Sequence, residues 1–176
     1  MKKICDSQVS ILNMLKPDIN KKFYQISAGE DLYASVDLIF GKGSLARFET
    51  AQGSYTMKRQ GFFMPYVTLR KDKMETDIAM ALLDIKGKTS FSFDGNTYSF
   101  RALSLWKNQW GWVNEKNKII AKYKLTLSGM IRGDVEIARD FLYLPYLELM
   151  VAVGTYFLFQ IEDELNVITD FNKDIL

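Results

Sequence analysis

The chain alternates apolar and polar residues in short segments from about residue 22 to residue 138, and turn residues separate these segments. The clearest segment is 89–100, where aromatic residues alternate with serine and threonine on both sides of Asp94-Gly95. An Asp-Gly pair is a strong signal for a two-residue hairpin turn, because both of its positions take a positive φ. The predicted register pairs Phe93 with Asn96, Phe91 with Tyr98, Thr89 with Phe100, Ser92 with Thr97 and Ser90 with Ser99.

A second hairpin is predicted in the tryptophan-rich segment that follows, with Glu115-Lys116 at its turn. Counting from that turn predicts that Trp112 lies opposite Ile119 and Trp110 opposite Ala121, with both tryptophans in the core. Short strands at such regular spacing are typical of an all-β meander. We therefore predict a mainly β protein, an antiparallel meander barrel of about eleven or twelve strands over residues 22–138, within a single domain of residues 1–176.

A short N-terminal helix is predicted ahead of the strands, over residues 8–16. This segment places Ile11, Leu12 and Leu15 on a helical stripe, and Pro17 would end the helix. We interpret it as a cap on one end of the barrel.

A hydrophobic C-terminal helix is predicted over residues 145–161, within the most apolar stretch of the chain, 141–161. At about 1.5 Å per residue it is about 25 Å long, shorter than a hydrocarbon core of about 30 Å. Glu148 in its first turn suits the start of a helix in water, where the macrodipole favours an anion. A helix that is apolar on all sides is normally buried, so we predict that this one fills the barrel. A C-terminal membrane anchor is the alternative.

The composition excludes several kinds of chemistry. The sequence has no histidine, which excludes imidazole acid-base catalysis, Ser-His and Cys-His nucleophile pairs and most catalytic zinc sites. Cys5 is the only cysteine, so no intramolecular disulfide forms, and without a histidine partner its thiol is expected to be inert. No phosphate-binding loop is present. We expect a non-enzymatic protein that binds no metal and no cofactor.

Charge and the N-terminal sequence bear on partners and location. The formal net charge is only +2, so no overall field attracts nucleic acid, and we expect no nucleic-acid partner. Polar residues interrupt the first apolar positions, which makes a poor signal peptide. We expect a cytoplasmic monomer that is peripheral to a membrane if it binds lipid.

The chain resembles a known superfamily in three features. These are the meander of hairpins with Tyr-x-Ile and turn-glycine patterns, as in residues 23–32, the Trp-rich strand pair at residues 106–123, and the hydrophobic helix placed last. Together they resemble the tubby C-terminal, LURP-one-related and phospholipid scramblase-like superfamily over residues 23–161. The resemblance implies a closed antiparallel barrel threaded by the C-terminal helix. Tubby domains bind phosphoinositides through basic side chains, but no residue of this sequence is matched to those positions.

Three functions are consistent with these observations. The first is a non-enzymatic binding or scaffold barrel that docks on an anionic membrane surface or a phosphorylated ligand. The second is a lipocalin-like carrier with a small molecule inside the barrel, and the third is a tail-anchored membrane protein with a cytosolic barrel head. The first function is compatible with a helix that fills the lumen of the barrel. The second requires the helix to lie outside, so that the lumen has room for a ligand.

A basic rim is the predicted site for the first function. If consecutive strands run up and down, those near 54–59, 77–84 and 96–106 end at the same rim. Its basic candidates are Lys58, Arg59, Lys86, Lys88 and Lys107, and its apolar candidates are Phe62, Phe63, Met64 and Trp106. A second basic set, Arg70, Lys71 and Lys73, falls at the opposite rim. Basic groups beside aromatic residues suit an anionic lipid surface.

Overall fold

Twelve antiparallel strands close into a barrel in this computed structural model, which describes residues 1–173 apart from 40–44, 62–65, 84–88, 94, 105 and 129. The side chains of residues 83, 127, 128 and 161–173 also lie outside the description. The strands are β1 (Ile11–Leu15), β2 (Phe23–Ala28), β3 (Asp31–Ile39), β4 (Leu45–Thr50), β5 (Gly53–Gln60), β6 (Tyr66–Lys71), β7 (Asp77–Leu83), β8 (Thr89–Phe93), β9 (Asn96–Ser104), β10 (Gln109–Asn114), β11 (Ile119–Ser128) and β12 (Ile131–Ile137). Each strand pairs with its neighbours in sequence, and β1 pairs with β12 to close the sheet.

The predicted hairpin over residues 89–100 is confirmed pair by pair. Thr89 lies opposite Phe100 and Phe91 lies opposite Tyr98, with the other three pairs also in the predicted register. Phe91 and Phe100 are fully buried, so the aromatic face is the inner one. Gly95 has the positive φ that the turn requires, at 73°.

The predicted register of the second hairpin is wrong by two residues. Two pairs are observed instead, Trp112 with Ala121 and Trp110 with Tyr123. The turn is longer than two residues, because the Asn114 carboxamide oxygen accepts the N–H groups of Lys116 and Lys118, and a bulge follows Trp112. A shift of two keeps both tryptophans on their predicted face. Ile119, which was predicted opposite Trp112, is instead 43% exposed, because the bulge changes the alternation of β11 at this point. Trp112 is fully buried, whereas Trp110 is only half-buried.

The N-terminal helix is short and lies earlier than predicted. It is α1 (Ile4–Ser7), and Gln8 ends it in the left-handed conformation with φ 52°. Most of residues 8–16 form β1, in which Leu12 and Met14 are buried and Ile11 is exposed. A short apolar run fits either element, and here the unpaired edges of β2 and β12 provide the hydrogen bonds that make it a strand.

The C-terminal helix, α2 (Leu147–Lys173), lies inside the barrel over residues 147–159, and it extends twelve residues beyond the predicted end at residue 161. It begins two residues after Pro145, and every residue from Leu147 to Phe159 is buried, so the helix has no solvent face over this length. Side chains from β2, β4 and β9 touch it from different sides. The ring contacts are Tyr24 with Phe159, Phe48 with Tyr156 and Phe100 with Phe157. The prediction of a buried hydrophobic helix is confirmed.

The two ends of the barrel are distinct. Because neighbouring strands are antiparallel, all odd-numbered strands run in one direction. We call the end where β5, β7 and β9 finish the distal rim. The opposite end is the proximal rim, where Tyr146, just before α2, lies near Gln52 and Lys71. A 3-10 turn (Arg139–Phe141) connects β12 to α2 at the proximal rim.

Candidate functional site at the distal rim

The predicted basic residues do not form one continuous patch. Lys58 is exposed on the outer wall of β5, whereas Arg59 follows it on the inward face and is half-buried. Successive strand residues point to opposite faces of the sheet, so these two cationic side chains lie on different surfaces of the barrel wall. Lys107 is exposed in the turn after β9. Because β9 is four strands from β5, this turn lies about 19 Å from the end of β5 along the wall.

Five of the predicted candidates lie outside the described residues. They are Phe62, Phe63, Met64, Lys86 and Lys88. Trp106 is described, and it is fully exposed, at 101% of its reference area. The predicted candidates that the structure describes are Lys58, Arg59, Trp106 and Lys107.

Three turns of the distal rim each present a large apolar side chain to solvent. Trp106 belongs to the β9–β10 turn, Met130 to the β11–β12 turn and Ile19 to the β1–β2 loop. Met130 is 67% exposed and Ile19 is 73% exposed, and with Trp106 they are the most exposed large apolar side chains among the described residues of this rim. We call this set the apolar tips.

The three turns are neighbours around the barrel. Barrel closure puts β1 beside β12, and the Lys16 backbone N–H donates to the Met130 carbonyl oxygen at 2.8 Å. The β9–β10 turn lies next to the β11–β12 turn, because the strands follow one another in the sheet. The apolar tips therefore share one sector of the rim.

Basic residues lie among the apolar tips. The loop between β1 and β2 contains Lys16, Lys21 and Lys22 with one acidic residue, Asp18. Lys21 forms an exposed ion pair with Asp18 at 3.6 Å. Lys107 follows Trp106 directly. This sector of the rim thus carries a net positive charge.

Two further exposed apolar side chains lie on the outer wall of β7. Met80 is 50% exposed and Leu82 is 58% exposed, while the alternating inward positions are Ala79 and Ala81. The large residues point outward here and the small ones face the interior. Leu82 lies close to the distal rim.

Sequence reasoning missed Ile19 and Met130. The loop 16–22 received no role because residues 8–16 were expected to be a helix, and Met130 is a single apolar residue in a turn. An isoleucine between Asp18 and Asn20 is a usable signal, since turns of this kind rarely contain one without a reason. That the turns of Ile19 and Met130 are neighbours follows only from the pairing of β1 with β12.

The second basic set lies at the proximal rim. Arg70 is paired with Asp77 at 3.1 Å on the outer wall. Lys71 instead lines a cleft beside Tyr55 and Tyr146, and it is far from the apolar tips along the barrel axis. The two basic sets therefore lie at opposite ends of the barrel.

Cys5 is the only cysteine of the chain, and it carries a free thiol. Burial, followed by its hydrogen bond to Asp6, raises the pKa of the Cys5 thiol, so it is protonated at neutral pH. No group of three or more Cys, Asp or Glu side chains in the described part of the chain is placed to hold a metal ion. Within the same residues, no helix is both long enough and apolar enough to cross a membrane.

Comparison with known proteins gives no relative. No family model, no curated protein and no solved structure matches this chain.

Proposed function

We propose that this protein is a non-enzymatic β-barrel binding or scaffold protein that docks on an anionic membrane surface through its distal rim. The observation that carries the proposal is the set of apolar tips, Trp106, Met130 and Ile19, exposed together in neighbouring turns. Burying one such side chain is favourable by about 1.5–3 kcal/mol. A cluster of this kind on a soluble surface commonly marks an interaction site.

Charge and side-chain type favour a lipid surface as the partner. Tryptophan is enriched at the interface between lipid and water, because its ring is apolar and its N–H is polar. Each lysine near an anionic lipid surface contributes about 1 kcal/mol. Lys107 next to Trp106, and the lysines of the β1–β2 loop next to Ile19, combine both contributions.

The barrel geometry allows all three apolar tips to contribute to binding at the same time. The apolar tips extend from one end of a closed sheet, so all three turns can meet a flat surface at the same time. The closed sheet and the helix inside it hold these turns at fixed positions, which limits the ordering cost of docking.

Two alternative functions have less support. A lipocalin-like carrier needs an open lumen, and α2 occupies that space from Leu147 to Phe159. A tail anchor needs the same residues in a bilayer, whereas here they are buried among the strands. Both alternatives would require α2 to leave the barrel.

The superfamily resemblance supports the proposal only through architecture. A barrel threaded by a hydrophobic helix is what the tubby-like resemblance implies, and it agrees with the arrangement of α2. Fold alone does not transfer function, so membership and lipid binding remain part of the proposal. With them we propose a cytoplasmic protein that is peripheral to a membrane.

The test is sedimentation with vesicles of phosphatidylcholine containing about 30% phosphatidylserine. The variant Ile19→Ser/Trp106→Ser/Met130→Ser should bind at least about tenfold more weakly than the parent, a loss of about 1.4 kcal/mol. The matched control removes exposed apolar residues from the proximal rim, Met74→Ser/Tyr143→Ser, and should bind like the parent.

A charge-reversal pair tests the electrostatic part. Lys58→Glu/Lys107→Glu should weaken binding and reduce its dependence on salt, whereas Lys73→Glu/Lys116→Glu at the proximal rim should not. If the parent does not bind these vesicles, or if both rims matter equally, docking through the distal rim is wrong.

A further inference from the structure

A cleft opens at the proximal rim, at the opposite end of the barrel from the apolar tips. Its volume is about 440 Å³, within the range of small-molecule sites. Lys3 comes from the N-terminal segment, Gln52 from the β4–β5 turn, Tyr55 and Lys71 from paired strands, and Tyr146 from the segment before α2. Four parts of the chain that are distant in sequence thus line one cavity.

The Tyr55 hydroxyl is the first indication of a ligand. The residue is only 1% exposed and lines the cleft, yet its hydroxyl has no hydrogen-bond partner among the described residues. Burial, followed by the nearby Tyr146 and Glu148, raises the pKa of Tyr55, so the group is a hydrogen-bond donor at neutral pH. Buried polar groups nearly always have a partner, and a bound molecule can supply it.

The charge of the cleft is the second indication. Lys3 and Lys71 both line it, and neither forms an ion pair with any residue that the structure describes. The Lys71 ammonium lies 6.0 Å from the centre of the Tyr55 ring. Glu148 is near Tyr55, but its carboxylate accepts the Ile4 backbone N–H and is not part of the cleft lining. Two cationic residues and a tyrosine whose hydroxyl has no partner among the described residues therefore line the cavity.

We propose that this cleft binds the phosphate group of a small phosphorylated molecule. A phosphate monoester carries nearly two negative charges and several acceptor oxygens, which match two ammonium groups and a hydroxyl donor. The rest of the ligand would lie against Pro145 and the Tyr146 ring.

Titration calorimetry with phenyl phosphate and with inorganic phosphate tests the proposal. Both probes should bind, and Lys3→Gln/Lys71→Gln should weaken binding at least about tenfold. Tyr55→Phe should weaken it about fivefold or more while leaving the urea midpoint of the free protein unchanged or higher, because the lost hydroxyl has no protein partner.

Tyr33 provides the matched control. It is also 1% exposed with a hydroxyl that has no partner among the described residues, but it does not line the cleft. Tyr33→Phe should leave phosphate binding unchanged. If neither probe binds up to about 10 mM, or if both tyrosine variants behave alike, the Tyr55 hydroxyl meets only water and the proposal is wrong.

Vesicles containing phosphatidate distinguish a lipid headgroup from a soluble ligand. Vesicle binding that is lost in Lys3→Gln/Lys71→Gln, and competed by phenyl phosphate, would identify the ligand as a headgroup. Probe binding without such vesicle binding would identify a soluble phosphorylated molecule. The proposed docking at the distal rim is tested with other variants, so either proposal can fail alone.

Discussion

Gly154 lies where two side chains of the barrel reach the backbone of the helix. Trp112 donates its indole N–H to the Met150 carbonyl oxygen at 2.8 Å, and the Tyr123 hydroxyl donates to the Val151 carbonyl oxygen at 3.0 Å. A β-carbon at position 154 would lie 2.6 Å from the Trp112 indole nitrogen and closer still to the Tyr123 hydroxyl. Only glycine lets both side chains reach the helix backbone.

The substitution Gly154→Ala is therefore expected to destabilise the protein, although alanine is the better helix former. Propensity would add up to about 1 kcal/mol of stability, whereas forcing a methyl group against two rigid rings costs about 1–3 kcal/mol or more. We expect a net loss of about 2 kcal/mol in the free energy of unfolding, measured in urea. Adding Tyr123→Phe should recover part of the loss; a stabilised Gly154→Ala would contradict this packing.

At the scale of elements, the start of α2 is joined to α1 by Glu148. Its side chain is only 3% exposed and accepts the backbone N–H of Ile4, which is itself fully buried. A carboxylate in the first turn also interacts favourably with the helix dipole. One side chain thus fixes the N-terminal segment over the proximal rim, where Lys3 lines the cleft.

Glu148→Ala should release this segment. The Ile4 N–H would lose its acceptor, and we expect a loss of about 1–3 kcal/mol together with faster hydrogen exchange of the Ile4 amide. The matched control is Glu136→Ala, which removes an exposed ion pair with Lys122 and should cost less than about 1 kcal/mol. Unchanged protection of Ile4 in Glu148→Ala would show that the contact is not needed.

At the scale of the whole molecule, helix and sheet depend on each other. The helix has no polar face from Leu147 to Phe159, so it cannot remain in water when the barrel opens. Among the described residues, the buried side chains of the strands and of this helix form one hydrophobic cluster. We expect the described structure to unfold as one unit, so a group buried at the helix contact affects the global stability.

The free energy of unfolding of the whole protein should fall at alkaline pH because of Tyr123. Burial raises its pKa above the ordinary value of 10.0, so the folded protein keeps a proton that the unfolded chain loses. This contribution to stability is complete below pH 10 and falls above it by about 1.4 kcal/mol per pH unit. Urea unfolding between about pH 9 and pH 11 should show a steeper decline for the parent than for Tyr123→Phe. Equal slopes would contradict the prediction.

Features that depend on neighbouring residues can be predicted from the local sequence. Alternation along residues 89–100 and the Asp94-Gly95 turn determined the register of β8 with β9, because a two-residue turn permits one pairing. The apolar residues on all sides of the C-terminal helix determined that it would be buried. The absence of histidine limited the chemistry before any fold was known.

Features that depend on distant parts of the chain follow only from long-range pairing and packing. Residues 11–15 form a strand because β2 and β12 provide partners on both sides, which no local pattern shows. The same closure brings the β1–β2 loop, which contains Ile19, beside the turn that contains Met130, and the position of α2 brings Tyr146 to Lys3, Tyr55 and Lys71. Hydrophobic period is a local property of the chain, whereas a site made by several loops depends on how the whole sheet closes.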